Sequence, residues 1–144
     1  AYVEGWGLYS ERLAKEEGRF TDPLQDFGRL QNEMLRAARL VVDTGAHAKK
    51  WTREQMIEYM LANNPMKKEE ATKEVERYID NPGQALSYKI GMIKILDLRE
   101  RAKRELGPKF DIRDFHDVVL KNGAVSLTIL EQLVDDYIAA KKAA

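Results

Sequence analysis

Apolar side chains recur along this sequence every three or four positions for nearly its whole length, and no stretch alternates convincingly enough to read as a strand. The pattern predicts an all-α fold, a bundle of about seven helices with short connections. The first helix is expected from about Tyr2 to Glu17, ended by Gly18 in a left-handed cap. Asp22 suits the cap of the second helix and Pro23 its first position, where a missing N–H costs nothing. That helix is expected to run to Thr44 and end at Gly45. Leu24, Phe27, Leu30, Met34, Ala38 and Val41 form its apolar stripe, widened by Leu35 and Val42. Thr52 and Gln55 form a capping-box pattern before a third helix, about Arg53 to Ala62, which Asn63-Asn64-Pro65 breaks.

The fourth helix, about Lys67 to Ile79, is dense in charge, with only Ala71, Val75, Tyr78 and Ile79 placed to be buried, so it reads as an outer helix. The fifth, about Gly83 to Leu106, is apolar around most of its circumference from Ala85 to Leu98 and is expected to be central. Gly91 lets a neighbour approach it closely, and Tyr88 lies one turn away with a hydroxyl that needs a partner if buried. Asp111 caps a short sixth helix, about Ile112 to Lys121, with Phe115, Val118, Val119 and Leu120 inward. Ser126 caps the seventh, about Leu127 to Lys141.

Composition narrows the function classes. The chain has 144 residues, enough for one domain with a sizeable core. Its 24 Lys and Arg balance 24 Asp and Glu, which gives no support for nucleic acid or an anionic membrane as partner. No apolar run approaches the ~20 residues of a membrane span. The absence of Cys excludes disulfides and thiolate metal sites and leaves the compartment open. The chain begins inside a helical pattern with no capping residue before it, as a fragment of a larger domain would.

Candidate chemistry concentrates in four places. Glu4 and Glu11 are two turns apart on one face of the first helix, beside a stripe of Trp6, Tyr9 and Leu13. Two readings are open there: a carboxylate ligating a metal on a packed helix, or an amphipathic helix with solvated acids. Asp43 falls where a helix macrodipole disfavours negative charge, and Arg39 one turn earlier or His47 just beyond would offset this by pairing with it. Tyr88 is the third place. The fourth is His116, expected at the surface or in an interhelical hydrogen bond. A complete metal site from Glu4, His47 and His116 lacks any paired ligand spacing.

Four stretches taken together resemble a known family: Glu4-Gly-Trp-Gly-Leu-Tyr-Ser-Glu11, Arg36 to His47, Pro82 to Gly91 and Phe110 to Leu120. They are similar to the C-terminal part of the bacterial family catalogued as domain of unknown function 885, grouped with zincin-like metallopeptidases of gluzincin type. The resemblance covers essentially the whole chain. It implies a zinc peptidase in which His-Glu-x-x-His, absent from this sequence, lies upstream, and Glu4 supplies the third zinc ligand. It further implies that His47 and Tyr88 donate hydrogen bonds to the tetrahedral oxyanion and that Glu11 supports the metal site; Arg39 is read first as structural, with holding Asp43 or a substrate carboxylate as its other role. His116 is left structural.

The expected cofactor is therefore zinc, held in the intact protein and not tightly by this chain alone. The expected partners are a peptide substrate and the missing N-terminal half of the same domain. Apolar surface on the first and fifth helices would be left open without that half, through which the chain would dimerise or aggregate. The contrasting expectation is a helical structural or interaction module with no catalytic activity.

Overall fold

A computed structural model of the chain describes residues 1–143. It is all-helical among the described residues, with α1 (Tyr2–Glu16), α2 (Pro23–Lys49), α3 (Arg53–Asn63), α4 (Lys68–Asp80), α5 (Leu86–Leu106), α6 (Ile112–Leu120) and α7 (Leu127–Ala143). A single 3₁₀ turn, Gly107–Lys109, joins α5 to α6.

Local signals set most of the boundaries. The Asp22 carboxylate accepts from the Leu24 N–H at 2.9 Å, and Pro23 opens α2. Thr52 and Gln55 exchange hydrogen bonds with each other's backbone amides, closing the capping box of α3. Asp111 accepts from Arg113 at the start of α6. Gly18, beyond α1, has φ +68°, the left-handed conformation that glycine adopts without a Cβ penalty.

The helices enclose two apolar cores. The first is built by α1, α5, α6 and α7, with Leu8, Tyr9, Met92, Ile95, Leu98, Phe115, Val119, Leu130 and Val134 buried. The second is built by α2, α3 and α4, with Ala85 closing one side over Val42, Met56, Met60, Val75 and Tyr78. As expected, α5 is central, packing against α1, α2 and α7. Lys94 and Arg101 of α5 pair with Glu131 of α7, and Arg101 also reaches Asp135.

Three expectations are corrected. Helix α2 does not end at Gly45 but continues to Lys49. Gly45 is there for close packing: a Cβ on it would lie 2.6 Å from the Trp51 ring, which folds back over the helix. Lys50, at φ +57°, makes the left-handed turn, and the Trp51 N–H reaches back six residues to the Gly45 carbonyl at 3.0 Å, closing the helix end. Second, Leu24, Phe27, Leu30, Met34 and Val41 are exposed; the buried side of α2 is Ala38, Arg39, Val42, Asp43 and Gly45. Third, Ile79 and Leu120 face outward rather than inward, while on α5 Ile90 and Ile93 are exposed. The exposed apolar surface therefore includes α5 and Val3 of α1 as expected, but its longest run lies on α2.

Candidate functional site

Helix α1 packs backbone to backbone against α5. Gly5 and Gly91 face each other, and a Cβ on Gly91 would lie 2.2 Å from the Ala1 carbonyl oxygen. The Tyr2 hydroxyl donates to the Val119 carbonyl of α6. One side of Tyr9 is closed by His116, whose Nε2 lies 2.7 Å from the phenol oxygen, and Arg99 donates to the same oxygen at 3.3 Å. Glu16 anchors Arg99 at 2.7 Å. Trp6 meets the His116 ring edge-on at 5.5 Å. These contacts fix both the depth and the rotation of α1.

Glu4 sits one residue before the close contact and is half-buried. The polar side chains of α1 that bond to protein are Tyr2, Tyr9, Ser10, Arg12, Lys15 and Glu16; among the described residues the Glu4 and Glu11 carboxylates have no such partner. Both lie on one flank of the helix with lone pairs uncommitted, which suits an oxygen donor to a hard or borderline cation.

The second polar assembly lies where α2, α4 and α5 meet. Arg39 is buried, donating to the Tyr78 hydroxyl at 3.0 Å and to Glu74 at 2.8 Å. Tyr78 also donates to Glu74, which takes a further bond from Arg77. Burial, reinforced by the Glu74 carboxylate, pushes the Tyr78 phenol up to about 12. Burial alone would raise the Glu74 carboxyl, but Tyr78, Arg39 and Arg77 together hold it below its ordinary value. The Arg39 guanidinium also lies 5.1 Å from the centre of the Tyr88 ring, with Arg36 at 5.9 Å, so two cations of α2 lie close to Tyr88. Tyr88 packs on the first core from the other side and thus stands between the two.

Asp43 does not rely on the partners that sequence suggested. Arg39 turns to Tyr78 and Glu74, and His47 is 4.0 Å away. Asp43 instead receives the Gly83 N–H, 3.1 Å from each of its oxygens, and so ties α2 to the turn before α5. His47 is in the last turn of α2 rather than beyond it, and its Nε2–H donates to the Tyr78 carbonyl at 3.0 Å.

The fold thus joins Arg39 and His47 through Tyr78, with Tyr88 against Arg39 and Asp43 4.0 Å from His47, and places Glu4 and Glu11 on the helix that crosses α5 one turn beyond Tyr88. It does not bring His116 to either place: its ring is engaged by Tyr9, Trp6 and Phe115 in the first core, the interhelical hydrogen bond expected of it. This removes a site made of Glu4, His47 and His116. Sequence reasoning missed the chain from Glu16 through Arg99 and Tyr9 to His116; the aromatic stripe beside Glu4 was its one visible sign.

For a divalent cation, the chain offers Glu4 as a fitting donor but not a full ligand set. No group of three or more His, Asp or Glu side chains is placed to hold a metal among the described residues. No helix in them is long and apolar enough to cross a membrane.

Comparison with known proteins supplies the family. No curated protein matches the chain. A crystal structure of the "putative lipoprotein from Colwellia psychrerythraea" superimposes with a TM-score of 0.94 at 54% identity, over 96% of this chain. This chain spans only 24% of that protein's length. The family model described as bacterial protein of unknown function, DUF885, matches residues 1–134, and the chain belongs to that family.

Proposed function

We propose that this chain is the portion of a zinc-dependent metallopeptidase that contributes one metal ligand, Glu4, and hydrogen-bond donors for hydrolysis of a peptide bond. The observation that carries this reading is Glu4 itself: a half-buried carboxylate without a protein partner, on a helix whose rotation is locked at Gly5 and Gly91 and by Tyr2 and Tyr9. A ligand must be held in a fixed place, and the contacts at Gly5, Tyr2 and Tyr9 hold the depth and rotation of α1. Bound zinc would supply Lewis acidity and an activated water. The donors that complete its shell come from polypeptide outside this chain.

The residues of this chain then have separable tasks. Glu4 holds the cation and Glu11, two turns along the same face, supports that side of the site. Tyr88 offers a phenol O–H for developing negative charge, and the Arg36 and Arg39 guanidiniums beside its ring favour that polarity. His47 takes part by exchanging its bond to the Tyr78 carbonyl for one to substrate. Arg39 and Asp43 act through others, Arg39 on Tyr88 and Tyr78, and Asp43 on the turn that leads into α5.

In the full-length protein, Glu4→Gln is expected to remove zinc, measured by elemental analysis, together with peptidase activity. Tyr88→Phe is expected to keep zinc and lower turnover by about 10²–10³, as loss of an oxyanion donor does. Unchanged metal content in Glu4→Gln, or wild-type turnover in Tyr88→Phe, refutes the respective role. The alternative is a helical interaction module without catalysis. It is favoured by the engagement of Arg39 and Asp43 in holding helices together. An upstream reading frame without His-Glu-x-x-His decides for it.

A further inference from the structure

The outward face of α2 has a regular spacing. Phe27, Leu30, Met34 and Val41 are 56, 49, 41 and 37% exposed, and with Ala37 they recur at alternating steps of three and four. That is the a–d spacing of a coiled-coil seam. The flank of the same helix next to this stripe is committed to the second core through Ala38 and Val42. The charges bordering the seam are already neutralised within the chain: Asp26 pairs with Lys15 and Arg29, and Glu33 with Arg29 and Lys89. Leu30, Met34 and Ala37 of the seam, with Glu33 and Lys89, line a shallow groove at the α2–α5 border.

We propose that this seam is the docking site for one helix, carrying its own apolar a–d stripe, from the polypeptide that longer members of the family have outside the span matched by this chain. Length supports that occupant, because nearly all of this chain matches less than a quarter of the Colwellia protein. Area counts against the obvious rival, a second copy docked through this seam alone. From Phe27 to Val41 the seam is about 21 Å long and roughly 10 Å wide, so one helix on it buries on the order of 400 Å² counting both sides. Separate molecules need about 1,200–2,000 Å² for stable association, so a second copy is short of contact. A covalently linked helix is not, because its effective concentration is high. The rim adds no uncompensated charge, which fits an apolar helix rather than an acidic or basic peptide. This inference is independent of the metal reading, since the seam lies on the side of α2 away from Arg39 and Asp43.

The test uses the full-length protein. Met34 is its own probe: peroxide oxidation of its sulfur, read by mass spectrometry, is expected to be at least about tenfold slower in the folded protein than in urea. Leu30→Cys and Met34→Cys, in a background free of other cysteines, are expected to react with a maleimide at least about a hundredfold slower folded than unfolded. Near-equal rates in the two states overturn the proposal. So does protection lost on dilution, which marks a second copy, and so does a reading frame that supplies no further helix. Should neither cysteine variant fold, the Met34 measurement on the unaltered protein still decides.

Discussion

Gly5 and Gly91 meet backbone to backbone: a Cβ on Gly5 would lie 2.4 Å from the Gly91 Cα. Two residues along α1, Gly7 has open space around it. The pair makes a controlled comparison, since all three positions are helical and none has positive φ. Gly5→Ala and Gly91→Ala are expected to lower stability by about 1–3 kcal/mol through forced separation of α1 and α5. Gly7→Ala is expected to raise it by roughly 0.5–1 kcal/mol through helix propensity. Urea unfolding of the three variants checks this, and a stabilised Gly5→Ala would mean that the helices are not in contact there.

The link between Tyr9 and His116 makes stability depend on pH. Burial and the nearby Arg99 guanidinium depress the His116 imidazole below its ordinary 6.5. The folded state therefore binds a proton at lower pH than the unfolded chain does. The resulting stabilisation is fully present above about pH 6.5 and is lost as pH falls through the folded value. Urea midpoints measured from pH 7.5 to 5.0 are expected to fall, and His116→Gln is expected to flatten that slope. An equal slope in the variant would assign the effect to other groups.

Asp43 is 3% exposed at its side chain and receives one backbone N–H from a distant turn. Asp43→Ala is expected to cost about 1–3 kcal/mol by leaving the Gly83 amide without its acceptor. Asp43→Asn, which keeps one carbonyl oxygen, is expected to cost less. Amide exchange at Gly83 reads the effect directly, with faster exchange in Asp43→Ala than in Asp43→Asn. Equal and unchanged exchange in both would show that the bond does not order the turn.

What the sequence disclosed and what it withheld divide along a physical line. Helix number, most boundaries and the caps at Asp22, Thr52 and Asp111 rest on neighbours within a turn, so they are visible in the order of residues. Gly45 misled because its reason, the Trp51 ring, lies beyond the helix end. The α2 stripe misled because periodicity reports that a face is apolar, not what covers it. The place of Gly91 as a close-approach point was readable; that Gly5 is what approaches was not. Asp43 was recognisable as a charge in need of a partner, but Gly83, 40 positions on, leaves no local trace. Glu4 and Tyr88 could be singled out by position, beside Glu11 and on an apolar helix near Gly91, but the roles proposed for them come only from the family resemblance.

The chain leaves the first core after α1, builds the whole second core, and returns to the first with α5. Tyr9 and His116, which close that return, are 107 positions apart. Bringing such distant points together costs about 4 kcal/mol of chain entropy if nothing between them is formed. Assembly of α2 to α4 beforehand shortens the effective tether, so the amino-terminal helix is expected to seat last. The orientation of its acidic flank is then a reward of completed folding, and any lesion in the intervening half will register there first.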